Sequence, residues 1–443
     1  MKIQLSEHFT YSKLFKFVIP SIIMMIFTSV YGVIDGLFVS NFVGKTSFAA
    51  VNLIMPFPMI LGSVGFMFGT GGSAVVAKTL GEGDKTKANK FFSLFVYATI
   101  ISGVVFSAVG LIFAPQIAKM MGAEGYMLEE CIKYGNILLI ALPFFMLQNV
   151  FQSFFSTAQK PTLGLIITVC AGLTNILLDY IFIVIFNAGV TGAAVATALS
   201  QVVGGVVPVV YFIMKNNSLL RLCKTYFDWR TLLKACLNGS SELMTNLSLS
   251  LVNMLYNIQL MSIAGENGVA AYGVIMYVNF IFIAIFLGYS IGCAPLIGYN
   301  YGSQNISELK NLFRKSIFII SGTSVILTAA AVLLSSPLSM LFVGYDKELY
   351  EMTNHGFIIY SLSFIFCGMN IFGSAFFTAL NNGIVSAVIS FLRTLLFQIV
   401  VVLTLPLILG LNGIWLSVVV AEMLALIVTI IFFIIKRKQY KYI

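Results

Sequence analysis

Apolar runs of roughly 20–28 residues recur along almost the whole sequence, and each is long enough to cross ~30 Å of hydrocarbon as a tilted α-helix. Charged residues make up 9% of the chain, whereas soluble globular proteins carry about 25%. Because lipid offers no hydrogen bonds to exposed backbone groups, such runs predict helices. We predict an all-α membrane protein with twelve transmembrane helices, approximately at 14–42, 47–78, 91–114, 128–156, 161–186, 190–214, 232–262, 267–298, 312–334, 351–379, 384–408 and 412–435.

The basic residues predict how these helices are oriented. With the N-terminus inside, most of the 25 lysines and arginines, Lys2 among them, fall in cytoplasmic segments. The segments predicted to lie outside carry Lys45, Lys119, Lys133 and Lys347. Such an excess on one side sets membrane topology. We predict a multi-pass protein of the plasma (cytoplasmic) membrane with both termini in the cytoplasm. The net charge of +9 is then a topology signal, and nucleic acid is not an expected partner.

An internal repeat relates the two halves of the chain. A shift of 221 residues superimposes FAAVNLIM (48–55) on VAAYGVIM (269–276) and pairs Gly44 with Gly265. The same register pairs further residues: Gly81 with Gly302, Asn149 with Asn370, and Gly189 with Gly410. An even number of helices in each half gives both halves the same orientation. This plan is typical of transporters in which two bundles rock around a substrate held between them.

The repeat also predicts the domain organisation. We expect two pseudo-symmetric six-helix bundles, an N-lobe over 1–214 and a C-lobe over 232–443, with a cytoplasmic linker over 215–231. No connection is long enough to form a soluble domain.

Two aspartates lie deep inside predicted membrane segments of the first half. Asp35 lies in YGVIDGLFVSNF and Asp179 in NILLDYIF, and the repeat places uncharged residues at the corresponding positions. At ~1.5 Å rise per residue, both lie roughly 27–28 Å from the cytoplasmic ends of their helices. Asn175 precedes Asp179 by four residues and shares its helix face. Thr197 falls about 10 Å below the outer end of the sixth helix. These four side chains are therefore predicted to lie at one depth.

Two carboxylates, an amide and a hydroxyl form a set of hard oxygen donors, which suit a proton or a hard cation. Two carboxylates in a low-dielectric cavity cannot both ionise freely, and one shared proton or one sodium ion relieves the repulsion. A charge state that changes with occupancy can bias a conformational equilibrium. The pattern thus predicts a coupling site, with a purely structural polar cluster between helices one, five and six as the alternative. The residues do not distinguish protons from sodium.

Arg393 and Glu422 are the other clear intramembrane charges, and they fall in the second half. Each would be costly alone, so a mutual ion pair or a water-filled cavity is expected. Their role is either structural or in gating and selection of the substrate by charge.

Nothing in the sequence indicates an enzyme. The connector GEGDKTKANK (81–90) lacks the full Gly-x-x-x-x-Gly-Lys-Ser/Thr pattern of a phosphate-binding loop. Two histidines are too few for a histidine-ligated metal centre. We predict no catalytic residues and no cofactor apart from the coupling ion.

Several of these segments also carry a family resemblance. VIDGLFVSNFVGKTSFAAVNLIMPF, GTGGSAVVAKTLGEGDKTKANKFF, TNILLDYIFI and GVTGAAVATALSQ resemble the multidrug and toxic compound extrusion (MATE) family. The segment SSELMTNLS (240–248) resembles the branch that contains the DNA-damage-inducible and multidrug-export members. The resemblance covers essentially the whole chain, and it implies a V-shaped pair of bundles and a cation-coupled antiporter that expels organic, often cationic, drugs and toxins.

The resemblance also implies roles for individual residues. It places the cation site of the first lobe, which would hold sodium in a sodium-coupled member, at Asp35, Asn175, Asp179 and Thr197. It adds Tyr134 to the hydrogen-bond network of that site, Pro20 as the proline linked to bending of the first helix, and Gln152 as a drug-contacting amide. Another branch of the family has a cation-binding acid deep in the seventh helix. Glu242 lies near the cytoplasmic end of that helix and is not expected to take this role.

The sequence also leaves two other functions open. One is a flippase for lipid-linked saccharides or another amphiphile, since such proteins have related folds but tend to carry extra helices and a cationic central cavity. The other is a channel or scaffold, which fits a duplicated chain less well. We expect the lipid bilayer and small organic cations as partners, and a functional monomer.

Overall fold

The computed structural model describes residues 3–443, and Lys2 and the side chain of Lys45 lie outside the described part. The structure is built of helices: α1 (Tyr11–Phe42), α2 (Thr46–Gly81), α3 (Lys85–Met120), α4 (Gly125–Thr157), α5 (Pro161–Ile185), α6 (Gly189–Ile213), α7 and α8 (together Trp229–Gly302), α9 (Ile306–Val343), α10 (Lys347–Ser361 and Phe364–Ala379), α11 (Gly383–Leu409) and α12 (Leu411–Tyr440).

The twelve predicted spans are all present in these helices. Within the described residues, ten helices are long and apolar enough to cross a membrane, and the two parts of α10, bent by 49°, make an eleventh span. The run Trp229–Gly302 counts once in that total, but it turns at Gly265, where φ is 62°. Gly44, its repeat partner, has φ 104° at the turn between α1 and α2. Glycine is favoured at both places because positive φ strains other residues.

Several helices are longer than the sequence predicts. Helix α3 covers Lys85–Met120 where the apolar run covers 91–114, and α9 covers Ile306–Val343 where it covers 312–334. Hydropathy marks only the part of a helix in hydrocarbon, whereas the backbone hydrogen bonds of a helix can continue into the headgroup region. No strand occurs in the described part of the chain.

The two halves meet closely at the end of the molecule that carries both termini. A Cβ atom on Gly81 of α2 would clash with the carbonyl oxygen of Tyr299 in α8, and one on Gly302 would clash with that of Lys78. Lys78 and Tyr299 are themselves repeat partners. The contact is therefore pseudo-symmetric, and glycine allows the two backbones to touch. The predicted boundaries of the lobes stay a prediction, although α6 ends at Ile213 and α7 begins at Trp229.

Helix α1 packs against both halves. Near its start, Leu14, Phe17 and Val18 are buried in the same hydrophobic core as residues of α7 and α8. Further along, Phe27 and Tyr31 pack over Gly172 of α5. The last hydrogen bond from α1 to α8 runs from the Ser29 hydroxyl to the Phe280 carbonyl at 3.4 Å. Beyond it, the Cβ positions of Gly32 and Gly36 have no heavy atom within 4 Å. The halves thus separate beyond the middle of α1.

Candidate functional site

The first polar cluster lies where α1, α5 and α6 meet. The Thr197 hydroxyl donates to Asp35 Oδ1 at 3.5 Å, and the Asn175 amide donates to the Thr197 oxygen at 3.5 Å. Both distances are at the long limit for a hydrogen bond. The carboxyl groups of Asp35 and Asp179 lie near enough to interact electrostatically, although no hydrogen bond joins them. The structure therefore brings together all four residues that the sequence predicts for this site; their role in coupling stays a prediction.

Asp179 is the most enclosed member of this N-lobe cluster. Its side chain is 0% exposed, and neither carboxylate oxygen has a hydrogen-bond partner among the described residues. The Asn175 carbonyl oxygen is likewise buried without a partner. Leaving such groups unsatisfied costs roughly 1–3 kcal/mol each, and more when they are charged. The N-lobe cluster thus contains buried oxygen atoms that no described residue satisfies with a hydrogen bond.

Local helix geometry contributes to this arrangement. Immediately after Asp179, α5 changes to a π-helical segment, Tyr180–Ile185. An inserted residue of this kind widens the helix and shifts side chains relative to a regular helix. A regular helix through Asp179 is what the sequence predicts, and the apolar residues YIFIVI give no signal for the change.

Tyr134 of α4 is packed beside the cluster. It is 0% exposed, and its hydroxyl lies 3.9 Å from the Met55 sulfur and also near Thr197. Its membership of the hydrogen-bond network of the site stays a prediction, because its hydroxyl makes no direct hydrogen bond to either carboxylate in the described structure.

The second polar cluster lies between α10, α11 and α12. Arg393 Nε donates to both carboxylate oxygens of Glu422, at 2.8 and 3.0 Å. The Asn370 amide donates to the same carboxylate at 2.8 Å, and Thr429 donates to Asn370 Oδ1 at 3.0 Å. Arg393 stands within a π-helical segment, Leu392–Leu396. In this C-lobe cluster the buried acid has its own base, which is the ion pair expected from the sequence.

A cavity of about 210 Å³ lies between the two halves and is lined by residues of both. Gln152 of α4 and Arg393 of α11 line it, whereas Glu422 lies behind Arg393. Phe66, Leu249 and Leu287 give it apolar walls. Of the residues predicted to contact or select the substrate, Gln152 and Arg393 thus line the cavity, and Glu422 holds Arg393 from behind.

Pro20 lies apart from the cavity. It is inside the first half of α1, next to Ser21, whose carbonyl oxygen and backbone pack against Gly288 of α8. A proline here removes one backbone hydrogen bond from α1 at the place where the two halves touch. This position suits a bend in α1 but not direct contact with a ligand in the cavity.

Several polar residues that line the cavity were not predicted from the sequence, and three of them stand out by burial or charge. Asn149 and Ser290 are each 4% exposed, and Asn149 Nδ2 and Ser290 Oγ have no hydrogen-bond partner among the described residues. Glu242 lines the same cavity with a partly buried side chain. The pairing of Asn149 with Asn370 in the repeat was visible in the sequence, but its exposure to a cavity depends on the packing of two halves.

Comparison with known proteins identifies the family. The MatE family model matches twice, over 20–181 and again over 243–404, and together these matches cover most of the chain. This chain belongs to the MatE family. The second match is displaced from the first by nearly the same shift as the internal repeat. The chain is therefore a tandem MatE protein of the membrane, with both family segments in one polypeptide.

Curated and solved relatives extend over nearly the full length. The multidrug export protein MepA of Staphylococcus aureus (strain MRSA252) is 26% identical over 432 residues, which are 96% of this chain and 94% of that protein. A crystal structure of MATE in complex with MaL6 superposes with a TM-score of 0.92 at 24% identity, covering 99% of this chain and 98% of the other. An outward-facing multidrug resistance MATE transporter of the MOP superfamily superposes with a TM-score of 0.91 at 25% identity, covering 97% and 96%.

Proposed function

We propose that this chain is a cation-coupled antiporter that exports organic, often cationic, drugs and toxins by alternating access. The names of its relatives, which include multidrug export proteins, support export of drugs. The central cavity between the two halves supports a substrate site of mixed apolar and polar character. The fold supports the transporter class, and the N-lobe cluster supports the coupling.

One observation carries the coupling proposal. Asp179 is fully buried beside Asp35, and no Lys, Arg or His within 4.0 Å pairs with either acid in the described residues. Asp35 is partly buried, and two acids that lie side by side away from bulk water cannot both ionise freely without a positive partner. A proton or a sodium ion from solution supplies it, and the Asn175 and Thr197 oxygens add donors for a hard cation.

Alternating access gives the N-lobe cluster its effect on transport. In this structure the halves touch at the terminal side and separate beyond the middle of α1, which is the arrangement expected when the binding cavity faces the other side. Helix α1 carries Asp35 and also packs against α8, so a change of charge at Asp35 acts on a helix shared by both halves. A ligand shifts such an equilibrium only by its differential affinity for the two states. A cation that binds one state more tightly therefore drives the exchange.

The remaining predictions belong to the same proposal. We propose the plasma membrane as location, with both termini in the cytoplasm as the basic residues predict, and a monomer as the functional unit. The flippase alternative is less supported, because the cluster nearest the outer side is acidic and because Arg393 is already paired with Glu422.

Efflux of ethidium tests the proposal. Asp179→Asn or Asp35→Asn is expected to abolish ion-driven efflux, because an amide cannot take up the coupling cation. Asp228→Asn is the matched control, because that aspartate caps the start of α7 at the surface and lies far from the cluster. All variants are checked for insertion in the membrane. Normal efflux from both cluster variants would contradict the coupling proposal, and flipping of a lipid-linked saccharide in liposomes without ethidium export would favour the alternative.

A further inference from the structure

A second cavity, of about 310 Å³, lies where the first turns of α7 and α11 meet, at the end of the molecule that carries both termini. Residues that line this α7–α11 cavity include Trp229, Lys234, Asn238, Asn381 and Ile384, and none of its lining residues lines the central cavity. Ligand pockets in proteins commonly measure roughly 300–1,000 Å³. The α7–α11 cavity is therefore large enough for a small polar group.

Two basic side chains line the α7–α11 cavity. Arg230 and Lys234 are four residues apart on one face of α7, and neither pairs with an acid within 4.0 Å among the described residues. Lys78 and Glu82 both lie near enough to Lys234 to interact electrostatically, but they pair with each other at 3.7 Å. The carboxylate of Asp228 caps the start of α7. The charge around the cavity is therefore net positive, which favours an anionic occupant.

The same cavity is lined by two asparagines whose buried oxygen atoms lack a donor. Asn238 is 2% exposed, and its amide donates to the Thr378 carbonyl at 2.9 Å, but its Oδ1 has no partner among the described residues. The Asn381 amide donates to the Ala74 carbonyl of α2 at 3.2 Å, and its Oδ1 is also buried without a partner there. A phosphodiester cannot satisfy these oxygens because it only accepts hydrogen bonds, whereas a hydroxyl can donate to them. An ammonium group could donate too, but the positive charge around the cavity opposes it.

Exposed apolar side chains border the α7–α11 cavity. Leu233, Leu237 and Ile384 line it, are 47%, 52% and 71% exposed, and belong to helices long and apolar enough to span a membrane. Trp229, which is 59% exposed, is the first residue of α7, and tryptophan is enriched at the interface between membrane and water. Basic pockets between spanning helices on the cytoplasmic side bind the head groups of anionic lipids. The surroundings thus favour an occupant that has acyl chains.

The corresponding place in the first half has different side chains. The repeat puts Phe17, which is buried in the hydrophobic core, at the position of Asn238. Lys13 corresponds to Lys234, but it is paired with Glu7 at 2.8 Å. The unpaired amide oxygen and the unpaired lysine are therefore not required by the repeated fold, which favours a role in binding.

We propose that the α7–α11 cavity binds the head group of a phosphoglycerol lipid, such as phosphatidylglycerol, in the leaflet on the terminal side of the molecule. The phosphodiester lies against Arg230 and Lys234, and the glycerol hydroxyls donate to Asn238 and Asn381. The acyl chains run along the exposed apolar side chains that border the cavity. This lipid site is separate from the central cavity, and the inference does not depend on the proposed export function.

Quenching of tryptophan fluorescence tests this inference, because the chain has two tryptophans and one of them lines the cavity. Trp229 is 59% exposed, whereas Trp415 is 1% exposed and lies near the opposite end of the molecule, at the start of α12. The full chain is reconstituted in phosphatidylcholine vesicles with increasing fractions of a lipid whose brominated chains quench tryptophan at short range. Brominated phosphatidylglycerol is compared with brominated phosphatidylmethanol, which has the same charge but no hydroxyl, and with brominated phosphatidylcholine.

The three lipids separate the effect of charge from that of the hydroxyls. Phosphatidylglycerol is expected to bind about fivefold more tightly than phosphatidylmethanol, the factor that roughly one hydrogen bond supplies. Phosphatidylmethanol is expected to bind more tightly than phosphatidylcholine by about fivefold for each of the two basic side chains. Equal quenching by phosphatidylglycerol and phosphatidylmethanol would contradict the assignment of the hydroxyls, and equal quenching by all three would overturn the inference.

Variants at exposed positions then locate the site. Arg230→Gln with Lys234→Gln is expected to remove the preference for anionic lipids over phosphatidylcholine. Lys215→Gln with Lys224→Gln is the matched control, because it removes the same charge from exposed linker side chains outside the cavity and is expected to keep the preference. Trp229→Phe is expected to remove the lipid-dependent part of the quenching. A preference that survives the change of Arg230 and Lys234, or selective quenching that survives Trp229→Phe, would contradict the site.

Competition with a soluble ester distinguishes a lipid from a free phosphate compound of the same chemistry. Glycerol phosphate has the phosphate and the hydroxyls but no acyl chains. At millimolar concentration it is expected to leave the quenching by brominated phosphatidylglycerol unchanged, because it gains nothing from the apolar side chains at the cavity. Full recovery of the fluorescence would overturn the assignment of a lipid and identify a soluble phosphate ester as the occupant.

Discussion

The N-lobe and C-lobe clusters differ in the partners of their buried carboxylates. Each lies beside a π-helical segment in repeat-related helices, α5 and α11, and each buries a carboxylate. In the C-lobe, Glu422 has Arg393 at 2.8 Å. In the N-lobe, Asp179 has a second acid beside it and, among the described residues, no base within ion-pair distance. The two halves of a duplicated scaffold thus differ in whether a described basic side chain pairs with the buried acid.

The repeat-related asparagines show the same contrast. Both polar groups of the Asn370 side chain are hydrogen-bonded: its amide donates to Glu422, and its oxygen accepts from Thr429. Its partner Asn149 keeps an unpaired amide on the central cavity. Within the described residues, the polar groups of the C-lobe cluster are therefore satisfied by one another, whereas Asn149 and the N-lobe cluster keep buried polar atoms without a hydrogen-bond partner.

Replacing Glu422 is expected to change the free energy of unfolding more than replacing Asp179, which distinguishes the two buried acids. Glu422→Gln is expected to lower the free energy of unfolding by about 3–5 kcal/mol, because it leaves the Arg393 cation buried without a partner. Without an added coupling ion, Asp179→Asn is expected to leave it unchanged or to raise it, because no basic side chain loses a partner. Thermal unfolding with a thiol-reactive dye measures this through the buried Cys131, Cys293 and Cys367.

The control for this comparison removes both charges of the C-lobe pair. Arg393→Gln with Glu422→Gln is expected to regain most of the stability lost in Glu422→Gln, as found for buried pairs replaced together by neutral groups. Equal losses in Glu422→Gln and Asp179→Asn would break the distinction between a satisfied and an unsatisfied cluster.

The next effect concerns the ions themselves. At a concentration about 100 times the dissociation constant, the coupling cation is expected to stabilise the folded chain by ~2.7 kcal/mol. The stabilisation should vanish in Asp35→Asn and Asp179→Asn and persist in the double variant of the C-lobe pair. Titrations with sodium at constant pH, and with protons at constant sodium, measure it and identify the ion. A stabilisation that follows the C-lobe pair would place the ion site in the wrong half.

The smallest effect compares two threonines. Thr197→Val removes a hydroxyl whose hydrogen bonds are 3.5 Å long, and it is expected to raise the ion concentration for half-maximal stabilisation roughly two- to tenfold. Thr429→Val removes a 3.0 Å bond to Asn370, and it is expected to reduce stability without changing the ion dependence. The same ion titrations test both, and a larger shift from Thr429→Val would reverse the assignment.

The sequence predicts much of this architecture because membrane helices are constrained by length and hydropathy. The twelve spans, the repeat and the meeting of Asp35, Asn175, Asp179 and Thr197 follow from counting residues along helices and from the side on which each helix starts. The Arg393–Glu422 pair follows from the cost of burying either charge alone.

Other features depend on packing, which a single sequence does not show. The π segments after Asp179 and around Arg393 follow no apolar or polar pattern. The sequence places Glu242 at the cytoplasmic end of α7. Its position on the central cavity depends on how α7, α8 and α11 pack together. The sharing of α1 between the halves is also invisible in hydropathy, because both of its contact faces are apolar.

Ethidium movement in proteoliposomes, under a proton or a sodium gradient imposed separately, tests whether the N-lobe acids couple the ion to export. One of these gradients, and not an equal gradient of potassium, is expected to drive ethidium in the direction opposite to the ion. Asp179→Asn is expected to reduce this movement to the level of protein-free vesicles while ethidium still binds. Gradient-driven movement that is unchanged in Asp179→Asn would contradict the claim that the N-lobe acids couple the ion to export.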